Sequence, residues 1–244
     1  MSKTFSRLLT SARRVGTSLA VYSLAFAAPL HAGDFELDWN VLSWPVGATG
    51  PLSFALSDQY GFEIDATISF SGILEPGPGG QTPYLDNIFG GNVQSLVVVS
   101  DASAGNGRVG DATVSATMSF SSGGIAFPVD ALEVDALDID PTDNNDRFDR
   151  CDFVTFTGDN GTPTLTALGA SPTVRVGPGV GSGLTGPLAI NEAQCIYNTG
   201  LSPSATSNND DAGNVRAAYP NSTSSVTLAY DESIEDVRGF VSFQ

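Results

Sequence analysis

The segment DIDPTDNNDRFDRCD, residues 138–152, gathers six aspartates, two asparagines and a cysteine. Such a stock suits a hard divalent cation. Calcium takes about six to eight oxygen ligands, mostly carboxylates and carbonyls. Asp138, Asp140, Asp143, Asn145, Asp146, Asp149 and Asp152 offer side-chain oxygens at close spacing. An EF-hand frame begun at Asp138 meets acids at relative positions 1, 3, 9 and 12. It fails at position 6, where Asp143 replaces the required glycine, and Pro141 interrupts it. Two readings stay open: a non-EF calcium loop between strands, or a solvated acidic loop screened by salt. Arg147 and Arg150 are the nearest cations, and a second patch, NNDD at 208–211, adds ligands only if folding brings it near.

The rest of the chain narrows the available chemistry. Lys3, Arg7, Arg13 and Arg14 form a basic start, followed by the uncharged VGTSLAVYSLAFAAPL. This pattern predicts a secretory leader, too short for a stable membrane anchor. Cleavage fits after Ala27 or Ala32, and Ala32 keeps the apolar core whole. The expected division is a leader over 1–32 and one β domain over 33–244. Arg13-Arg14 lacks the apolar flanks of a twin-arginine signal, which favours the ordinary export route. No later stretch is long and apolar enough for a membrane helix.

Losing that leader removes every lysine and the only histidine, His31. Six arginines then stand against 27 acids, a charge of −21. Imidazole-based Ser or Cys nucleophiles and lysine Schiff bases have no side chain to use. Zinc sites normally draw on His and Cys, and two cysteines are a poor start. Phosphate repulsion from so acidic a surface argues against nucleic acid. Carboxylate catalysis of the glycosidase kind is what survives, but no motif singles out an acidic pair, and a non-enzyme is expected. In an oxidising compartment, Cys151 and Cys195 are expected to pair; two buried thiols are the alternative.

Along the chain, apolar residues repeat with period two between Gly and Pro punctuation. FELDWNV (35–41) predicts a strand with Phe35, Leu37, Trp39 and Val41 on one face. GFEIDATISFSG (61–72) places Phe62, Ile64, Ala66, Ile68 and Phe70 inward, and DATVSATMSFS (111–121) does so with Val114, Ala116, Met118 and Phe120. QSLVVVS, FVTFT, TVRV, SVTLAY and RGFVSF are further strand candidates. VDALEVDALD (129–138) fits a strand better than a helix, with Leu132, Val134 and Ala136 on one side. The fold class expected is all-β: an antiparallel β-sandwich, jelly-roll or Ig-like, of about 10–13 short strands.

Smaller motifs receive plain readings. Gly181, Gly183 and Gly186 spell GxGxxG, but no βαβ pattern surrounds them, so a hairpin loop is expected. Trp39 and Trp44 could stack on sugars, though Trp39 lies on an apolar face and is assigned to the core. Asn160 and Asn221 each begin a glycosylation sequon.

FPVDALEVDALDIDP, then DFVTFTGDNG, Asn191 and the closing SVTLAYDESIEDVRGFVSF resemble bacterial secreted and surface β-sandwich domains of the PEP-CTERM or choice-of-anchor kind. Asp138, Ile139 and Asp140 match their acidic turn, and Phe153 to Gly158 the strand that follows. The closing VRGFVSFQ lacks the sorting tail. The resemblance implies an extracellular sandwich and carries over no catalytic residue. The expectation is a secreted or cell-surface bacterial protein (a periplasmic one as a variant) with an adhesion, matrix or envelope-structural role, and calcium as its candidate ion. Its partners would be surface, matrix or glycan components, or further copies of itself. The rivals are a glycan-binding module or carboxylate-based hydrolase or lyase, and a filament subunit.

Overall fold

Branched and aromatic side chains at every second position can be buried together only if the backbone is extended and one face of it is covered. This computed structural model describes residues 34–72, 74, 76–77, 80–86, 94–101, 114–139, 152–169, 174–179, 187–195, 212–232 and 238–243. The strands are β1 (Leu52–Ser57), β2 (Glu63–Ser71), β3 (Pro76–Gly77), β4 (Gly80–Gln81), β5 (Tyr84–Asp86), β6 (Ser95–Asp101), β7 (Val114–Ser122) and β8 (Ile125–Ala126). There follow β9 (Glu133–Leu137), β10 (Asp152–Gly158), β11 (Thr164–Ala167), β12 (Val174–Val176), β13 (Glu192–Cys195), β14 (Val215–Ala218), β15 (Ser225–Glu232) and β16 (Arg238–Phe243). Among the described residues there is no helix, and so none long and apolar enough to cross a membrane.

All pairings among the described residues are antiparallel. An eight-stranded sheet runs β1-β2-β7-β15-β10-β13-β12 with β8 on β7, a six-stranded sheet runs β11-β14-β9-β16-β6-β5, and β3 pairs β4. One core joins the two large sheets. Ile68, Phe70, Val114, Val154, Phe156 and Leu228 enter it from the first, and Leu96, Val98, Val134, Ala136 and Val215 from the second. Each valine, leucine, isoleucine or phenylalanine among them contributes about 1.5–3 kcal/mol when fully buried.

The expected alternation is borne out in β2 for Ile64, Ala66, Ile68 and Phe70, which are buried while their neighbours are not. Phe62, expected inward with them, is instead held in the turn before the strand by its N–H bond to Asp58 Oδ1 and is 42% exposed. It holds in β7 too, with Met118 only half-buried. The strand expected over 35–41 does not form. Asp38 Oδ1 accepts from the backbone and side-chain nitrogens of Asn40, and Val41 N donates to Asp38 O. This aspartate-capped turn ends the extended run, buries Trp39 and leaves Val41 77% exposed. VDALEVDALD gives β9, as read, but Val134, Asp135, Ala136 and Leu137 are all buried, so both faces of the strand are covered. Sixteen strand segments are described against the 10–13 expected; β3, β4 and β8 are two-residue pairings, and without them thirteen remain.

Candidate functional site

The acidic segment leaves the six-stranded sheet at the end of β9 and re-enters the eight-stranded sheet at β10. It is therefore a crossover between sheets, flanked by strands and not by helices. Only its two ends are described: Asp140, Asp143, Asn145, Asp146, Asp149 and Cys151 lie outside the described residues. Asp138 is 7% exposed and adopts φ 63°, a left-handed conformation that aspartate tolerates better than most residues. Its N–H donates to Asn214 Oδ1 at 3.1 Å, and Ile139 N donates to Gly213 O at 2.9 Å. A Cβ on Gly213 would stand 3.1 Å from both Ile139 N and Ile139 O, so glycine permits this close approach.

At the other end, Asp152 is 2% exposed and its Oδ1 accepts from the fully buried Tyr230 hydroxyl at 2.7 Å. Burying a carboxylate is expensive unless something bonds the charge, and this hydroxyl is one such partner. Beside it, β13 pairs with β10 through Phe153↔Gln194. Cys195, fully buried, thus sits opposite the start of β10.

Other aspartates, none of them singled out by motif, have defined jobs. Asp58 is buried in the β1–β2 turn, where its Oδ1 accepts from Tyr60 N at 2.9 Å and Phe62 N at 2.7 Å. Asp135 faces Arg216 directly across β9 and β14. Arg216 Nε and Nη2 grip its two oxygens at 2.7 and 2.8 Å, and Nη1 reaches Glu133 at 3.0 Å. The Asp135 hydrogen bonds and charge push the guanidinium's pKa up further. Asp159 receives the N–H and hydroxyl of Ser224, and the Ser224 hydroxyl bond is the main reason its pKa falls below the ordinary 3.8. Ser222 Oγ donates to Asp130 Oδ1. Burial raises the phenol of Tyr219, whose hydroxyl donates to Thr157 O at 3.3 Å.

The signals for two of these were present in the sequence: Asp58-Gln-Tyr-Gly61 and Asp159-Asn-Gly161 are turn signatures. The Asp135–Arg216 pair is separated by 81 residues, and only the strand register reveals it.

The remaining motifs settle into structure where they are described. Trp39 and Trp44 both lie in the core, Trp44 donating Nε1–H to Ala48 O at 3.1 Å and crossing Phe70 edge to face. They are lost to sugar stacking. The GxGxxG glycines fall outside the described residues, but β12 and β13 flank them as an antiparallel pair and Gly179 bridges Leu188, the frame of a hairpin. Asn160 and Asn221 are tied together, Asn160 Nδ2 to Ser222 O and Asn221 Nδ2 to Asn160 O. NNDD at 208–211 falls outside the described residues. No group of three or more metal-ligating side chains occurs among the described residues. A core cavity bounded by Trp39, Ile68, Phe70, Leu96, Val134 and Leu228 measures about 20 Å³, room for about one water and no substrate. Compared with protein-family models, curated proteins and solved structures, the chain matches none.

Proposed function

We propose that this is a secreted or cell-surface, non-enzymatic β-sandwich protein with an adhesion, matrix or envelope-structural role. The observation that carries the reading is the use made of its acids. Asp38 and Asp58 close turns, Asp130 and Asp159 tie strand ends through serines, Asp135 clamps Arg216, and Asp152 anchors Tyr230. In a chain whose catalytic options reduce to carboxylates once the expected leader is lost, these six aspartates are engaged in holding strands and turns. The function is tested by incubating the purified protein with a panel of polysaccharides. No release of reducing ends or unsaturated products is expected; sustained turnover abolished by one Asp→Asn or Glu→Asn change would contradict the reading.

The acidic crossover belongs to the same structural role. Its expected bridge, Cys151–Cys195, would tie it to β13, since Cys195 lies opposite the start of β10 and Cys151 is one peptide bond from Asp152. Closing that loop contributes about 4 kcal/mol in the chain-entropy model. Calcium is proposed as the ion that shares the task, because carboxylates crowded between two buried ends repel one another without a cation. Binding to the native state alone adds about 2.7 kcal/mol at a hundredfold excess over Kd. Thermal unfolding should shift upward in millimolar calcium relative to EDTA, and much less in magnesium; coincident midpoints would remove calcium from the account.

A further inference from the structure

We infer that β1 is a dimerisation edge, at which two copies of this chain join their eight-stranded sheets antiparallel about a two-fold axis. Among the described residues, four strands end the two large sheets: β1, β12, β11 and β5. Three of them carry the features that keep edges from pairing. β12 has three residues with Arg175 at its centre, β5 has three residues with Asp86 at its end, and β11 has four. β1 has six residues, LSFALS, with no charge and no proline. Its register with β2 is unbroken from Leu52↔Ile68 to Ser57↔Glu63, so no bulge twists the edge away. The side-chain hydrogen bonds of β1, Ser53 to Thr67 and Ser57 to Glu63, run toward β2. An edge strand aims alternate N–H and C=O groups away from its one neighbour.

The sequence of this edge selects its occupant. Leu-Ser-Phe-Ala-Leu reads large, small, aromatic, small, large, which is self-complementary about Phe54. A two-fold axis at Phe54 sets Leu52 against the copy's Leu56, Ser53 against its Ala55, and Phe54 against itself. Residues opposite each other on antiparallel strands share a face. The core-side Leu52, Phe54 and Leu56 therefore continue one apolar face, and the exposed Ser53 and Ala55 continue the outer one. Charge restricts the meeting place as well. Copies of a chain with formal charge −17 repel, and an uncharged strand lets them approach without setting like charges opposite each other. The pairing is isologous, so it uses the edge once per copy and closes at two.

Sedimentation of the purified protein from micromolar to near-millimolar concentration, at low and high salt, tests this. A monomer–dimer equilibrium is expected, strengthened by salt because screening weakens the repulsion. Two paired variants, Ser53→Lys with Ala55→Lys and Ser53→Glu with Ala55→Glu, set like charges opposite each other across the axis. Each should weaken the dimer by at least about tenfold, and a mixture of the two should restore it as a mixed dimer. A wild-type monomer under all conditions, a dimer that survives both variants, species that grow beyond two, or no rescue on mixing would each overturn the inference. Hydrogen exchange on the wild type keeps the test independent of how the variants fold. Amides of β1 should gain protection with concentration, and unchanged exchange there in a dimeric sample would also overturn it.

Discussion

Asp159 and Ser224 illustrate what a single carboxylate does in this protein. The aspartate is exposed, yet it fixes the start of β15 by accepting the N–H and hydroxyl of Ser224, and those bonds lower its pKa below 3.8. A folded-state value depressed below the unfolded one stabilises the fold above the unfolded value. That stability is lost as pH falls through the folded value. Ser224→Ala should therefore lower stability at neutral pH and flatten the loss on acidification below pH 4; the check is denaturant unfolding across that range for both proteins. Residues of this kind were only partly legible in the sequence. Composition makes the acids conspicuous and gathers attention on 138–152, where they are densest. The duties of Asp58, Asp135 and Asp159 depend instead on one hydroxyl, one guanidinium or two amides brought close by the fold. Local turn signatures point to the first and third; nothing local points to the second.

At the scale of elements, legibility follows from how directly burial maps onto sequence. β2 and β7 are read from alternation alone because each has one covered face and one that is less so. FELDWNV has the same alternation and is not a strand, since Asp38 offers the backbone a competing turn. β9 was readable as a strand but not as one covered on both faces, because the Arg216 clamp that permits a buried Asp135 comes from β14. The β12–β13 hairpin depends on an approach that only glycine allows. A Cβ on Gly177 would lie 1.6 Å from Ala189 O, which is backbone and cannot step aside. Gly177→Ala should destabilise the protein by about 1–3 kcal/mol, the range for overpacking, and should loosen β13 beside β10. Thermal melting with hydrogen exchange on Ala193 and Gln194 measures both effects.

Among the described residues, two large antiparallel sheets contribute to a common apolar cluster, with a smaller cluster around Leu56, Ile64, Ala66 and Phe120, in a chain of formal charge −17. The fold class was legible because it rests on period-two patterning repeated along the chain. The strand order was not, since β1-β2-β7-β15-β10 depends on pairings between distant segments. Net charge pulls against this architecture: crowded negative charge destabilises a compact state, so removing an acid should by itself help. That opposition gives the decisive measurement, the unfolding free energy of Asp58→Ala, Asp135→Ala and Asp152→Ala in denaturant. If the acids serve the scaffold, each variant loses about 1–3 kcal/mol, the cost of stranding buried hydrogen-bonding groups, in spite of the charge relieved. If the variants are as stable as the wild type or more so, these carboxylates are not holding the fold, and the use of the acids on which the proposed function rests is wrong.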